Sequence, residues 1–212
     1  LVTDTAFHPI APFLNFMVFG NERYLATWDG AFYQPNLIAF PTGTRVRSLG
    51  FWREFLAIGV WRGDSITSYD QGKIYFWDGT APTFNFFIDV PQGQIAALYG
   101  KDSDLYMFAG YRGVLMKYTG GGMYTNGNSA SVKLKRIPKI AASDYVDIYP
   151  GALTMWRDLV HFGMSANSSS TTIEKAVYSW GSLNQLYPET LSCDYPISTG
   201  NLYETVSIGL TF

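Results

Sequence analysis

Apolar positions in this chain fall in short runs and two-residue alternations, and one phrase returns along it. Gly72-Lys73-Ile74-Tyr75-Phe76-Trp77-Asp78-Gly79 alternates and ends in an Asp-Gly pair. Tyr24-Leu25-Ala26-Thr27-Trp28-Asp29-Gly30 repeats the pattern, Val114-Leu115-Met116-Lys117-Tyr118-Thr119-Gly120 copies it more weakly, and Ala176-Val177-Tyr178-Ser179-Trp180-Gly181 is a further copy. Alternation with period two predicts strands, and Asp-Gly predicts tight turns. The closing aromatics Trp28, Trp77, Tyr118 and Trp180 recur at an irregular interval of about fifty residues. The prolines that end the next apolar run, Pro41, Pro91, Pro138 and Pro196, keep a similar interval.

A third marker, an apolar run ending in glycine, precedes each phrase: it closes on Gly20, Gly59, Gly110 and Gly163. A fourth, Val46-Arg47-Ser48-Leu49-Gly50, Ile95-Ala96-Ala97-Leu98-Tyr99 and Ala152-Leu153-Thr154-Met155, lies just upstream of three of these. Short polar stretches at Arg53, Asp102 and Arg157 join the two as hairpin connections. Each unit is therefore expected to hold four strands: an inner one, a glycine-ended, an aromatic-ended and a proline-ended one. Continuous apolar runs mark the first two as buried on both faces, and the charges on the last two mark them as outer strands. Proline at the end of the fourth strand suits an edge. No segment carries a capped 3.6-residue period; the best helix candidate, residues 171–179, is rich in β-branched and aromatic residues. The expected fold is all-β: a β-propeller of about four blades of four antiparallel strands, closed as a small ring or continued in a larger one. Residues 1–212 form one domain, with units at roughly 1–43, 44–92, 93–140 and 141–200 and the start of a further strand at 205–212. A chain opening on Leu1 and closing on such a strand reads as a segment of a longer polypeptide.

Composition narrows the function. Of 212 residues 47% are hydrophobic and 17% aromatic, but only 15% are charged, against roughly 25% in ordinary soluble domains. Such a surface relies on Tyr, Ser, Thr, Asn and Gly, which suits extensive contact with partners. The formal net charge of −2 offers no basic footprint for nucleic acid. The one basic concentration, Lys133, Lys135, Arg136 and Lys139, reads as a solvated strand face. No apolar run approaches the ~18 residues of a membrane span. The single cysteine, Cys193, excludes an internal disulfide and reads as a small hydrophobe.

Candidate chemistry is sparse. The two histidines, His8 and His161, give little support to Ser-His-Asp catalysis or a His-rich metal site; His161, inside an apolar strand, reads as structural. Asp29 and Asp78 read as turn residues whose carboxylates satisfy local backbone donors. The glycine-rich stretch from Gly120 lacks the Gly-Lys-Ser/Thr ending of a phosphate loop. No catalytic residue, metal ligand or cofactor is assigned. Trp52, Trp61 and Trp156, read as exposed, are the candidate binding aromatics, able to stack on a sugar ring or a protein partner.

Two resemblances carry the expectation further. Ser68-Tyr69-Asp70-Gln71-Gly72, with Tyr75 in the aromatic place, resembles the Asp-box of sialidases, a hairpin-stabilising motif. It implies a carbohydrate-binding or glycan-cleaving propeller as the alternative reading. The repeated Trp-Asp-Gly strands, with Ala176-Val177-Tyr178-Ser179-Trp180-Gly181 and Asn184-Gln185-Leu186-Tyr187-Pro188, resemble propeller repeats of tailed-bacteriophage virion proteins of the tail, nozzle or adsorption apparatus. That resemblance implies a non-enzymatic structural or docking component of a virion, assembled in the host cytoplasm. Its partners would be other virion proteins and a host-surface glycan or receptor, within a homo- or hetero-oligomeric assembly.

Overall fold

The structure, a computed structural model, describes residues 8–62, 72–90, 93–110, 114–120, 145–148, 151–168, 171–181 and 190–197. It is all-β: among the described residues there is no helix, and sixteen strands form four antiparallel sheets. The first sheet runs β1 (Ile10–Phe13), β2 (Phe16–Asn21), β3 (Tyr24–Trp28) and β4 (Tyr33–Ala39) in sequence order. The second runs β5 (Thr44–Trp52), β6 (Phe55–Arg62), β7 (Gly72–Trp77) and β8 (Phe86–Val90). The third holds β9 (Ile95–Lys101), β10 (Asp104–Ala109) and β11 (Val114–Tyr118). In the fourth, β12 (Tyr145–Asp147) and β13 (Leu153–Trp156) both pair with β14 (Leu159–Ser168), followed by β15 (Thr171–Gly181) and β16 (Thr190–Ile197).

The local causes are those the pattern suggested. Each first-to-second hairpin closes over two residues: Phe13 faces Phe16, Trp52 faces Phe55, Lys101 faces Asp104 and Trp156 faces Leu159. The first turn residue is left-handed in every case (Leu14 φ 52°, Arg53 54°, Asp102 54°, Arg157 48°). Two-residue turns need positive φ because only then does the turn's twist match the strands'. Residues 171–179 belong to strand β15, as their β-branched content dictates.

Two readings are refined. The first unit does possess an inner strand, β1; its prolines Pro9 and Pro12 hide it in the apolar pattern, and Pro12 is tolerated because β1 is an edge. The third strand is not an outer one. β7 is buried along almost its whole length, like β6, whereas β4 and β8 alternate and stay largely exposed. The reason is layering: the middle strands of a sheet lie beneath neighbours on both faces, and the last strand overhangs them. The proline-ended run of the third unit, the basic cluster 133–139 and the strand expected at 205–212 lie outside the described residues, as does the side chain of Cys193.

The core consists of three slabs, each between consecutive sheets. Val18, Leu25, Ile38 and Phe40 of the first sheet meet Leu56, Ile58, Tyr75 and Trp77 of the second. Trp52, Ala57, Ile74 and Phe76 on the second sheet's other face meet Leu105, Met107, Met116 and Tyr118 of the third. Phe108 and Leu115 of the third meet Val160, Phe162, Tyr178 and Trp180 of the fourth. The faces alternate because side chains one residue apart on a strand point opposite ways. Each large side chain so buried contributes about 1.5–3 kcal/mol, and the offset and edge-on ring pairs, such as Phe76 with Trp52 at 5.2 Å, add about 0.5–1.5 kcal/mol each.

Candidate functional site

The tryptophans singled out from the sequence have divergent fates. Trp52 and Trp61 are buried, at 4% and 8% exposure, which corrects the expectation that they are surface aromatics. The third sheet covers both: Trp52 donates its indole N–H to the Ser103 carbonyl and Trp61 donates to the Ile95 carbonyl, each at 2.8 Å. Trp156 is exposed at 45%. Arg157 lies over its ring, 4.4 Å from the centroid, and His161 stands 6.1 Å away. Trp28, at 44%, is a second exposed tryptophan at the other end of the stack.

His161 belongs to a polar group on the fourth sheet's outer face. It sits opposite Thr154 on β13 and Ser179 on β15. Val177 pairs with Tyr195 and Tyr178 with Cys193, so Asp194 is the extra residue of a β-bulge on β16. Its carboxylate accepts a hydrogen bond from the Ser179 hydroxyl at 2.9 Å and lies 3.5 Å from His161 Nδ1. The residue types are those of a catalytic triad, but the order of contacts differs. Nucleophilic activation needs the imidazole between hydroxyl and carboxylate. Here the serine donates directly to the carboxylate, and His161 Nε2 is buried without a hydrogen-bond partner. The group braces β14, β15 and β16 together. Sequence reading missed Asp194 and Ser179, since a bulge leaves no local signal.

The turn aspartates behave as expected. Asp29 Oδ1 accepts from the amides of Ala31 and Phe32, and these bonds hold its carboxyl below the usual range. Asp78 accepts from the amides of Thr80 and Ala81, the Thr80 hydroxyl and the Asn85 amide. These backbone bonds, before the side-chain ones, push its carboxyl far below normal. Residues 68–71 of the Asp-box-like stretch lie outside the described residues. Three of the arginines each cover a different tryptophan: Arg47 lies over Trp61, Arg53 over Trp52 and Arg157 over Trp156. No group of His, Cys, Asp or Glu fit to hold a metal occurs among the described residues, and no helix there is long and apolar enough to cross a membrane.

A cavity of 430 Å³ opens where the inner strands meet, lined by Pro9 and the adjoining Ile10–Pro12 of β1, Leu49–Phe51 on β5, Leu98–Gly100 on β9 and Gly151. Its lining is backbone, proline, aliphatic and aromatic residues, with no charged residue among them. Such a lining can seat an apolar group and gives acid–base chemistry nothing beyond the Tyr99 phenol.

No protein-family model matches the chain, and no curated protein matches it. Solved structures are similar to it at low identity. The computationally designed Ika8 protein gives a TM-score of 0.48 at 14% identity over 80% of this chain and 54% of that one, so this chain spans about half the designed protein's length. The computationally designed Ika4 protein gives 0.39 at 11% over 74% and 97%. A chain from the structure of a Saccharomyces cerevisiae Dbp5 variant bound to Nup159, a Gle1 variant, IP6 and ADP gives 0.38 at 8% over 95% and 64%.

Proposed function

We propose that the four sheets are propeller blades and that the chain is a non-enzymatic structural and docking component of a larger assembly. On the repeat resemblance given above, that assembly is a phage virion, in its tail or host-adsorption apparatus. One observation carries the reading: tryptophans that cement sheet to sheet inside the stack recur, exposed, on its two end faces as Trp28 and Trp156. We read these two exposed tryptophans as the points of contact with neighbours in the assembly. The contact order in the His161 group supports the non-enzymatic reading. The test is sedimentation of particles from the source with an antibody to this chain. Recovery in the particle fraction at fixed stoichiometry supports the proposal; recovery only as a free small species counts against it.

One observation favours a second reading, a glycan-binding surface: Trp156 is half exposed, and the Arg157 guanidinium over its ring is a ready donor to a sugar hydroxyl. Quenching of tryptophan fluorescence by host-surface glycans, lost in Trp156→Ala, would support it. An array without binding would remove it.

A further inference from the structure

The first two of the three sheet-to-sheet joins are made by one repeated contact; at the third, Lys101 reaches Asp158 instead. The last residue of the inner strand and the first residue of the following turn form a plug. The aromatic that closes the third strand of the next sheet, with the two residues after it, forms a socket. Phe13 and Leu14 of the first sheet plug the second at Trp77-Asp78-Gly79: Phe13 lies 5.9 Å from the Trp77 ring, and a Cβ at Gly79 would collide with Leu14. Trp52 and Arg53 plug the third at Tyr118-Thr119-Gly120. The rings lie 5.0 Å apart, Arg53 donates to the Thr119 carbonyl at 3.2 Å, and a Cβ at Gly120 would meet Trp52 at 2.5 Å. Gly79 and Gly120 have positive φ (86° and 76°), which turns the chain aside and opens the hollow that the plug fills.

By the same register the first sheet owns a socket, Trp28-Asp29-Gly30, and the fourth sheet owns a plug, Trp156-Arg157. Both are open. Trp28 and Trp156 are exposed, and nothing lies within 4 Å of a Cβ at Gly30, whose φ is 102°. The plug repeats the Trp-Arg chemistry of Trp52-Arg53, with the guanidinium 4.4 Å over the indole against 4.5 Å.

We infer that the Trp156-Arg157 plug of one copy of this chain seats in the Trp28-Asp29-Gly30 socket of a second copy. The occupant is a second copy because the missing half of each open contact is present on the chain itself, in the register of the internal contacts, yet among the described residues both halves are unfilled. Charge agrees: Arg157 would face the Asp29 carboxylate where Arg53 faces a neutral Thr119. A plug-into-socket contact is heterologous, so it grows until the rotation closes. Two copies bring eight sheets, within the four to eight blades of known propeller rings, and two identical contacts close that ring. This inference rests on the docking role proposed above and names its partner.

The experiment is mass measurement by light scattering on the intact chain. Wild type is expected at twice the 23.7 kDa chain mass. A plug variant (Trp156→Ala with Arg157→Glu) and a socket variant (Trp28→Ser) should each run as monomers, and an equimolar mixture should recover a dimer, since each supplies the half the other lacks. A second measurement does not depend on weakening anything. In a Cys193→Ser background, Trp28→Cys mixed with Trp156→Cys should form a mixed disulfide dimer, and neither should form one efficiently alone. A monomeric wild type, growth beyond the dimer, dimers that survive in both single variants, or absence of the mixed disulfide overturns the inference. A monomeric chain that still sediments with particles loses this contact alone; one that does neither loses the docking role as well.

Discussion

Asp78 shows how much a single turn residue organises. Its carboxylate gathers two backbone amides, a hydroxyl and a side-chain amide across the turn between β7 and β8. Because those donors hold its carboxyl well below the ordinary 3.8, the folded state favours the ionised form more than the unfolded chain does. The stability it contributes is complete above the ordinary carboxylate range and falls away as pH drops below about 4. Asp78→Ala should lower the melting temperature at neutral pH, and the gap from wild type should narrow as melts are repeated towards acid. Trp52 is the second such residue. Trp52→Phe keeps a ring against Tyr118 and removes the donor to the Ser103 carbonyl, for an expected loss of about 1 kcal/mol. Trp52→Ala removes both and should cost about 3–5 kcal/mol. Urea unfolding of the two variants separates the hydrogen bond from the packing.

At the scale of elements, strands pack through closeness of their backbones as well as through side chains. Gly100, on β9, lies so near β5 that a Cβ there would fall on the Phe51 carbonyl oxygen. A backbone atom cannot swing aside, so Gly100→Ala must pry the second and third sheets apart. The expected destabilisation is at least the ~3 kcal/mol upper end of ordinary overpacking, read from the urea midpoint. The strands themselves were legible in the sequence, because alternation, Asp-Gly turns and two-residue hairpins are set by neighbours along the chain. β1 was not, since Pro9 and Pro12 break the apolar run that would have announced it. Nor was the burial of β7, whose charge at Lys73 suggests an outer strand. Lys73 reaches Asp89 on the adjacent β8, a pair at the sheet's margin, and the rest of the strand is core.

At the scale of the molecule, cohesion resides in the three slabs between sheets, and each contains a buried tyrosine. Tyr75 lies in the first slab and Tyr118 in the second, and burial raises the pKa of both above the ordinary 10.0. For an acid whose folded pKa is raised, stability is full below the unfolded value and is lost as pH climbs through the folded one. Alkaline titration should therefore show Tyr75 and Tyr118 ionising late, with loss of sheet structure by circular dichroism as they do. Tyr118→Phe should delay that loss and leave neutral-pH stability changed by less than about 1 kcal/mol. In a stacked array each sheet contacts only its neighbours, so an alkaline failure of one slab opens the array at that point.

The candidate site separates what the chain's local chemistry determined from what only its tertiary structure decided. The all-β character, the repeat near fifty residues and the carboxylate-capped turns at Asp29 and Asp78 follow from local chemistry: period-two alternation, positive-φ turns and short-range hydrogen bonds. The fate of the tryptophans does not. Trp52-Arg53 and Trp156-Arg157 are the same dipeptide at the same hairpin corner, with the same guanidinium over the same indole. One is covered by a following sheet and the other faces outward. Burial depends on what lies across the interface from a residue, and that neighbour comes from a distant part of the chain or from another molecule.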